Sequence, residues 1–276
     1  MSHLYGDVVI ITGASAGIGQ ATAQELMKDG YKVYGTSRKA KTGDRRIEPG
    51  SEGFLEMIPL DVTSDDSVRG AIAYVLEKEK RIDVLINNAG MGIAGAIEDT
   101  TLEEAQTQFA TNYFGVLRMC RAVLPIMREQ KKGLIVTVGS VAGIFSIPFQ
   151  AQYSASKFAI EALMETLRME TRAFGIRAAL VEPGDTKTSF TASRIFTAAS
   201  KTNPAYQAHC KKAVERMAHD EQHGPEPIVV TRVIQNIIRK KNPPIRIVVG
   251  SSYKMLCFFK RLLPAGLVER ILASMY

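Results

Sequence analysis

The pentapeptide YSASK, residues 153–157, sets a phenol and an ammonium four positions apart around three small residues. On a helix that spacing brings both groups to one face, one turn apart. A free phenol has a pKa of about 10 and is a poor base near neutral pH. A cation about 5 Å away, in an effective dielectric of about 20, favours the phenolate by about 3 kcal/mol, roughly two pK units before desolvation is subtracted. Tyr153 is then a candidate general acid/base and Lys157 its tuner. Most such pairs are solvated surface neighbours, so the chemistry depends on what the rest of the chain brings to them.

The elements that would position the pair form an alternation. Apolar, β-branched runs of strand length at 8–12, 32–37, 54–60, 84–87, 134–138, 177–182 and 245–249 are interleaved with helix-period stretches at 17–29, 64–80, 102–127 and 153–174. Continuous apolar strands separated by helices predict a parallel sheet covered on both faces. The expected fold is a Rossmann-type doubly wound α/β fold with about seven parallel strands, in one domain over 1–276. Such sheets bind ligands beyond the carboxyl ends of their strands. From 186 to 227 the alternation lapses into a mixed segment with Phe190, Ile195, Phe196, Tyr206, His209 and His223, too long for an idle connection and read as a substrate lid.

The turn after the first strand is TGASAGIG, with glycines at 13, 17 and 19. Glycine allows a tight turn close to a pyrophosphate, and the following helix aims its first amides at the phosphate charge. The placement between strand and helix predicts a dinucleotide site. About twenty residues on, where an NAD site would present an acid to the ribose, stand Thr36, Ser37, Arg38 and Lys39. Hydroxyl and cationic groups can bind a 2′-phosphate that an acid would repel, so NADP is the expected cofactor.

Two more stretches follow strands: NNAG at 87–90 and GS at 139–140. Together with TGASAGIG and YSASK, in this order and spacing over about residues 5–190, they resemble the short-chain dehydrogenase/reductase family. The resemblance implies that Gly13, Ser15, Ile18 and Gly19 line the phosphates and that Ser37 and Arg38 take the 2′-phosphate. It implies Asp61 and Val62 at the adenine, and Asn88, Ala89 and Gly90 beside the adenosine ribose. Asn112, Ser140, Tyr153 and Lys157 match the family's catalytic tetrad, and Pro183, Gly184 and Thr188 its nicotinamide loop. Tyr153 and Lys157 would also touch the cofactor. Ser140 would stabilise charge on the substrate oxygen, and Asn112 would support a proton relay from Lys157 to solvent.

SVAGIFSIPFQAQY, at 140–153, and the helix after it resemble the hydroxysteroid and retinol dehydrogenase branch, which implies a large apolar alcohol or ketone as substrate, such as a steroid or retinoid. Ser140, Phe145, Phe149, Tyr153 and Phe190 are the expected substrate contacts, with Ile144, Ile147 and Pro148 adding to an apolar wall. The alternatives are a 3-oxoacyl thioester or small-ketone reductase and, in another class, a non-catalytic NADP-binding regulator. Enoyl reductases of the superfamily usually separate Tyr and Lys more widely.

The 276 residues carry a formal charge of +7, but the basic residues are scattered and not interleaved with aromatics, so no nucleic-acid partner is expected. Cys120, Cys210 and Cys257 are odd in number and widely spaced, which points away from disulfides and metal and towards a reducing compartment. The opening MSHLYGDVVIITG lacks the pattern of a signal peptide, and the chain is expected in the cytoplasm. The C-terminal segment at 251–276 mixes apolar residues with Lys254, Lys260, Arg261 and Arg270. It is expected to pack on this subunit or a neighbour, with peripheral membrane contact as the alternative. The family resemblance also implies a homodimer or homotetramer.

Overall fold

Four consecutive buried aliphatic residues, Val8–Ile11 (β1), have no solvent-facing side, which is what a strand inside a doubly covered sheet requires. A computed structural model describes residues 3–275 and shows how the rest of the chain covers this strand. After β1 come α1 (Gly17–Lys28), β2 (Lys32–Ser37), β3 (Asp44–Ile47), β4 (Phe54–Pro59), α2 (Asp65–Glu79) and β5 (Val84–Asn87). Next are β6 (Ile93–Ala94), α3 (Leu102–Phe109), α4 (Gly115–Glu129), β7 (Gly133–Val138), α5 (Ala151–Thr171) and β8 (Ile176–Glu182). The chain continues with α6 (Phe190–Ser193), β9 (Ile195–Phe196), α7 (Gln207–His223), α8 (Ile228–Ile238), β10 (Arg246–Val248), α9 (Ser251–Leu262) and α10 (Ala265–Met275).

The main sheet has eight strands in the order β10-β8-β7-β5-β1-β2-β4-β3, and all neighbours but one are parallel. Val9 stands between Val33 of β2 and Val84 of β5, fixing the register at the centre. One face is covered by α2, α4 and α5 through Val68, Val75, Met119, Val123, Met164 and Leu167. The other is covered by α1 and α8 through Ala23, Leu26, Ile234 and Ile237. Local signals start the helices. Ser64 accepts from the Ser67 amide at the head of α2, where Asp65 and Asp66 favour the positive dipole end, and Thr101 and Glu104 form a capping box on α3.

Three departures from the sequence-based expectation have local causes. The eighth strand, β3, lies between the expected strands at 32–37 and 54–60, where none was expected, and pairs antiparallel with β4. It is held by Arg45, whose Nε donates to Glu56 at 2.9 Å and whose guanidinium lies 3.9 Å from the Phe54 ring centroid. Burial works against the Glu56 carboxylate, but hydrogen bonds from Tyr74 and Arg45 outweigh it and keep its pKa low. The helix expected over 102–127 is interrupted by a π turn, Ala110–Phe114, which carries Asn112. Within 186–227, β9 pairs with β6, bonding Ile195 to Gly92 and Thr197 to Ala94 and tying the segment to the loop after β5.

Candidate active site

The carboxyl ends of β1, β2, β4, β5, β7 and β8 open into a cavity of about 610 Å³. Its floor at the nucleotide end is the turn after β1. Gly13 has φ +67° and Gly17 φ +57°, left-handed conformations that side chains disfavour, and a Cβ on Gly13 would come within 2.9 Å of Ala89 Cα. Asn88 binds this turn to the loop after β5: its amide group donates to the Thr12 and Gly13 carbonyls, both at 3.0 Å, while the Asn88 and Ala89 main-chain amides donate to Thr12 Oγ1. The first turn of α1 has neither a side-chain cap nor an acid, so its amides and dipole face the cavity. These features fit a dinucleotide pyrophosphate.

Gly13, Ser15, Ile18, Ser37, Arg38, Asp61, Val62, Asn88, Ala89, Gly90, Pro183, Gly184 and Thr188 all line the cavity, as do Tyr153 and Lys157. Gly19 does not. A Cβ there would meet Asn88 Nδ2 and the Gly13 carbonyl at 2.4 Å, so this glycine permits packing of α1 under the turn. The Asp61 pKa is held low, first by the Thr63 main-chain amide; burial opposes it, and the Thr63 hydroxyl and the charges of Arg38 and Arg118 add to the lowering. Arg38 is exposed at this end beside Ser37, Lys39 and Thr63.

At the other end Lys157 is 8% exposed, and its Nζ donates to the Val138 carbonyl at 3.0 Å. That Nζ lies 5.7 Å from the centroid of the Tyr153 ring. Burial pushes the Lys157 pKa down to about 8, with the Glu161 charge one turn further along α5 opposing it. Burial pushes the half-buried Tyr153 phenol up to about 12, against a hydrogen bond with Ser140; Glu221 adds to the rise and Arg194 opposes it. The expected two-unit fall of the phenol pKa is therefore not what the protein's own groups produce: desolvation, which had to be subtracted, is larger than the gain. Ser140 itself caps the 3-10 turn Val141–Gly143, its Oγ accepting from the Ala142 amide at 3.1 Å.

Asn112 is buried outside the cavity lining. Its amide group donates to the Met91 carbonyl at 3.0 Å and to Ser156 Oγ at 3.1 Å, and its carbonyl oxygen accepts from the Met91 amide at 2.9 Å. Ser156 in turn donates to the Tyr153 carbonyl, and Ser154 accepts from the Ile147 amide. Two of the three small residues inside YSASK, Ser154 and Ser156, thus hydrogen-bond within the site.

The apolar wall differs from its expectation. Phe190 lines the cavity, with ring centroid 5.7 Å from that of Tyr153, and Ile147 does too. Phe145 is instead buried beneath Lys260, and Phe149, at φ +58°, packs against Ala94, Cys210 and Val214. Ile195 and Phe196 are exposed, and Tyr206 is outside the lining. Gln150, Met217 and Glu221 were missed and complete the wall. Glu221 is tethered by Arg194 and by Thr191, and no local pattern in α7 marks it, because its role arises from the fold of the whole 186–227 segment.

Behind Lys157 lies a second charged group. Glu161 of α5 and Glu182 at the end of β8 are buried together, and Arg246 of β10 pairs with Glu161 and approaches Glu182 at 3.6 Å. Burial, followed by the hydrogen bond and charge of Glu161, pushes the Glu182 pKa up to about 9.

Comparison with known proteins agrees with this geometry. The family description "short chain dehydrogenase" matches residues 7–198. The chain is 40% identical over 270 residues to a 3-ketodihydrosphingosine reductase of Bacteroides thetaiotaomicron, covering 98% of this chain and 97% of the relative. It is 34% identical over 270 residues to retinol dehydrogenase 8 of Bos taurus, covering 94% and 86%. A solved short-chain dehydrogenase from Streptomyces avermitilis superposes with a TM-score of 0.80 at 32% identity, covering 98% of this chain and 96% of the other.

Glu182 gives a pH prediction. Between the ordinary carboxylate value of 4.5 and about 9, the folded chain holds a proton that the unfolded chain has lost, so this group lowers stability as pH rises through that window. Glu182→Gln, which cannot ionise, is expected to flatten the fall in melting temperature between about pH 5 and 9. An unchanged slope in thermal melts across that range would mean that Glu182 is ionised in the fold.

Proposed function

The chain belongs to the short-chain dehydrogenase/reductase family, an oxidoreductase family using a nicotinamide cofactor, and on that premise we propose that it is an NADP(H)-dependent enzyme interconverting a large apolar alcohol and its ketone or aldehyde. The observation that carries the reading is the convergence of Ser140, Tyr153 and Lys157 on the cavity that also takes in the glycine turn and Arg38. The nicotinamide, when bound, supplies hydride to the carbonyl carbon or accepts it from the alcohol. Tyr153 gives the substrate oxygen its proton during reduction and takes it during oxidation. Burial raises the phenol pKa in the protein alone, so the side chain carries its proton at neutral pH. Ser140 holds the substrate oxygen as charge develops on it. Lys157 presents its cation to the phenol and to the ribose. Asn112 supports the proton relay by fixing the π turn against Ser156 of α5.

Phe190, Ile147 and Met217 favour an apolar substrate body, and the segment 186–227 serves as the lid over it, within a single domain spanning the chain. The relatives named for 3-ketodihydrosphingosine and for retinol both support a lipid-like carbonyl or alcohol. Arg38, with Ser37, binds a 2′-phosphate and so favours NADP. The reading includes a homodimer or homotetramer in the cytoplasm, without a nucleic-acid partner.

Three measurements test it. Tyr153→Phe is expected to bind NADPH normally, as followed by cofactor fluorescence, while turnover falls by about 10²- to 10⁴-fold; near-normal turnover removes the proton donor. Arg38→Asp is expected to lower the NADPH-over-NADH ratio of kcat/KM by about tenfold or more, and equal use of both cofactors by the unmodified protein would falsify the 2′-phosphate assignment. Initial rates across 3-ketodihydrosphingosine, retinal, a ketosteroid, a 3-oxoacyl thioester and small polar ketones should favour the large apolar carbonyls. Activity confined to the small ketones rejects the apolar site.

A further inference from the structure

Helix α9 is amphipathic in two senses. One side is attached to the body: the Tyr253 ring sits where a Cβ on Gly184 would lie, its hydroxyl accepts from the Asp185 amide at 3.2 Å, and Lys260 reaches the Ile144 carbonyl across the Phe145 and Phe158 rings. The opposite side carries Met255, Phe258, Phe259 and Leu262, which are 59%, 58%, 45% and 64% exposed. Their spacing of i, i+3, i+4 and i+7 forms one continuous stripe. No residue of α9 is fully buried, so attachment through one side leaves the aromatic side open. Leu267 and Ile271, also exposed, repeat the spacing on α10 after the break at Pro264.

Charge distinguishes what would cover this stripe. Residues 251–275 contain Lys254, Lys260, Arg261 and Arg270 against the single acid Glu269, a net of +3 from four cations less one anion. Lys254 and Arg261 are seven residues apart, on one edge of α9 between its attached and open sides. Cations flanking an aromatic stripe suit an anionic lipid surface, with the rings among the acyl chains and the ammonium and guanidinium groups at the headgroups. None of the described helices is long and apolar enough to cross a membrane.

We propose that the outer face of α9, continued by α10, docks the protein on an anionic bilayer surface. The helix lies along the interface, held to the domain by Tyr253 and Lys260 on its inner side. Through Tyr253 it adjoins Gly184 and Asp185 in the cavity lining, so docking brings the lipid surface near the wall of the site. Lipid contact itself is independent of the proposed chemistry; only the delivery of an apolar substrate from the bilayer rests on that reading.

The test is flotation of the full chain with vesicles of phosphatidylcholine alone or with about one-third phosphatidylglycerol, at low salt and at about 0.5 M salt. The expected result is binding to the anionic vesicles, weakened by salt. Phe258→Ser with Phe259→Ser, and separately Lys254→Glu with Arg261→Glu, should each lower the partition coefficient about tenfold or more. These variants leave the inner side of α9 intact, and unchanged melting temperatures and NADPH affinity would show that the fold survives. Absence of vesicle binding by the unmodified chain overturns the proposal. So does an aromatic variant that changes the oligomer mass while leaving vesicle binding intact, because the stripe then belongs to a contact between copies. Turnover of a water-soluble ketone without vesicles reports separately on the oxidoreductase reading.

Discussion

A buried ammonium organises the Tyr153 end of the cavity. Removing a cation from water is unfavourable unless polar groups replace its hydration, and Lys157 meets that demand with the Val138 carbonyl and the negative charge of Glu161 one helical turn away. The bond to Val138 joins α5 to the last residue of β7. Immediately beyond β7, Gly143 lets the 3-10 turn lie against α5, where a Cβ would come within 3.0 Å of the Lys157 carbonyl. Ser140 starts that turn and Tyr153 sits one helical turn before Lys157. The separation of hydroxyl, phenol and ammonium therefore follows from one strand-to-helix contact.

The nucleotide end has its own stitching. Thr12 and Asn88 bind the loops after two adjacent strands to each other through side-chain-to-backbone bonds, leaving the α1 amides facing the cavity. Because β1 and β5 are parallel neighbours, both loops emerge at the same edge of the sheet. Parallel pairing thus turns motifs 75 residues apart into one wall. The 186–227 segment is fastened in a comparable way, by β9 on β6 and by Arg194 on Glu221, so Phe190 is held over the phenol by contacts on both sides of it.

Residues whose role is a consequence of backbone order were legible in the sequence. Strand, glycine turn and helix follow one another without a gap, so Gly13, Ser15 and Ile18 could be placed from spacing, and the four-residue interval of Tyr153 and Lys157 needed only a helix. Direction was harder to read. Phe145 and Phe149 belong to an apolar stretch beside Ser140, but nothing in an apolar stretch says which side turns inward, and both rings face other elements. Asn112 appeared as a member of a reactive set, whereas its side-chain bonds depend on a π turn that helical periodicity does not display. The strand β3 was hidden by its charge, since the partner that makes Arg45 acceptable there, Glu56, lies on another strand. Glu221 and the buried pair of Glu161 and Glu182 owe their surroundings to elements far away in the chain, so no local pattern could announce them.

The two outer strands of the sheet have a consequence for strand addition by other chains. At one end β10 is only three residues long, and at the other β3 presents an arginine-rich edge with exposed Arg46. Short or charged borders are poor templates for strand addition, because an incoming chain finds few aligned amides and carbonyls and must also desolvate guanidinium groups. Sheet-to-sheet fusion and the fibrous growth it can seed are thereby disfavoured at both ends.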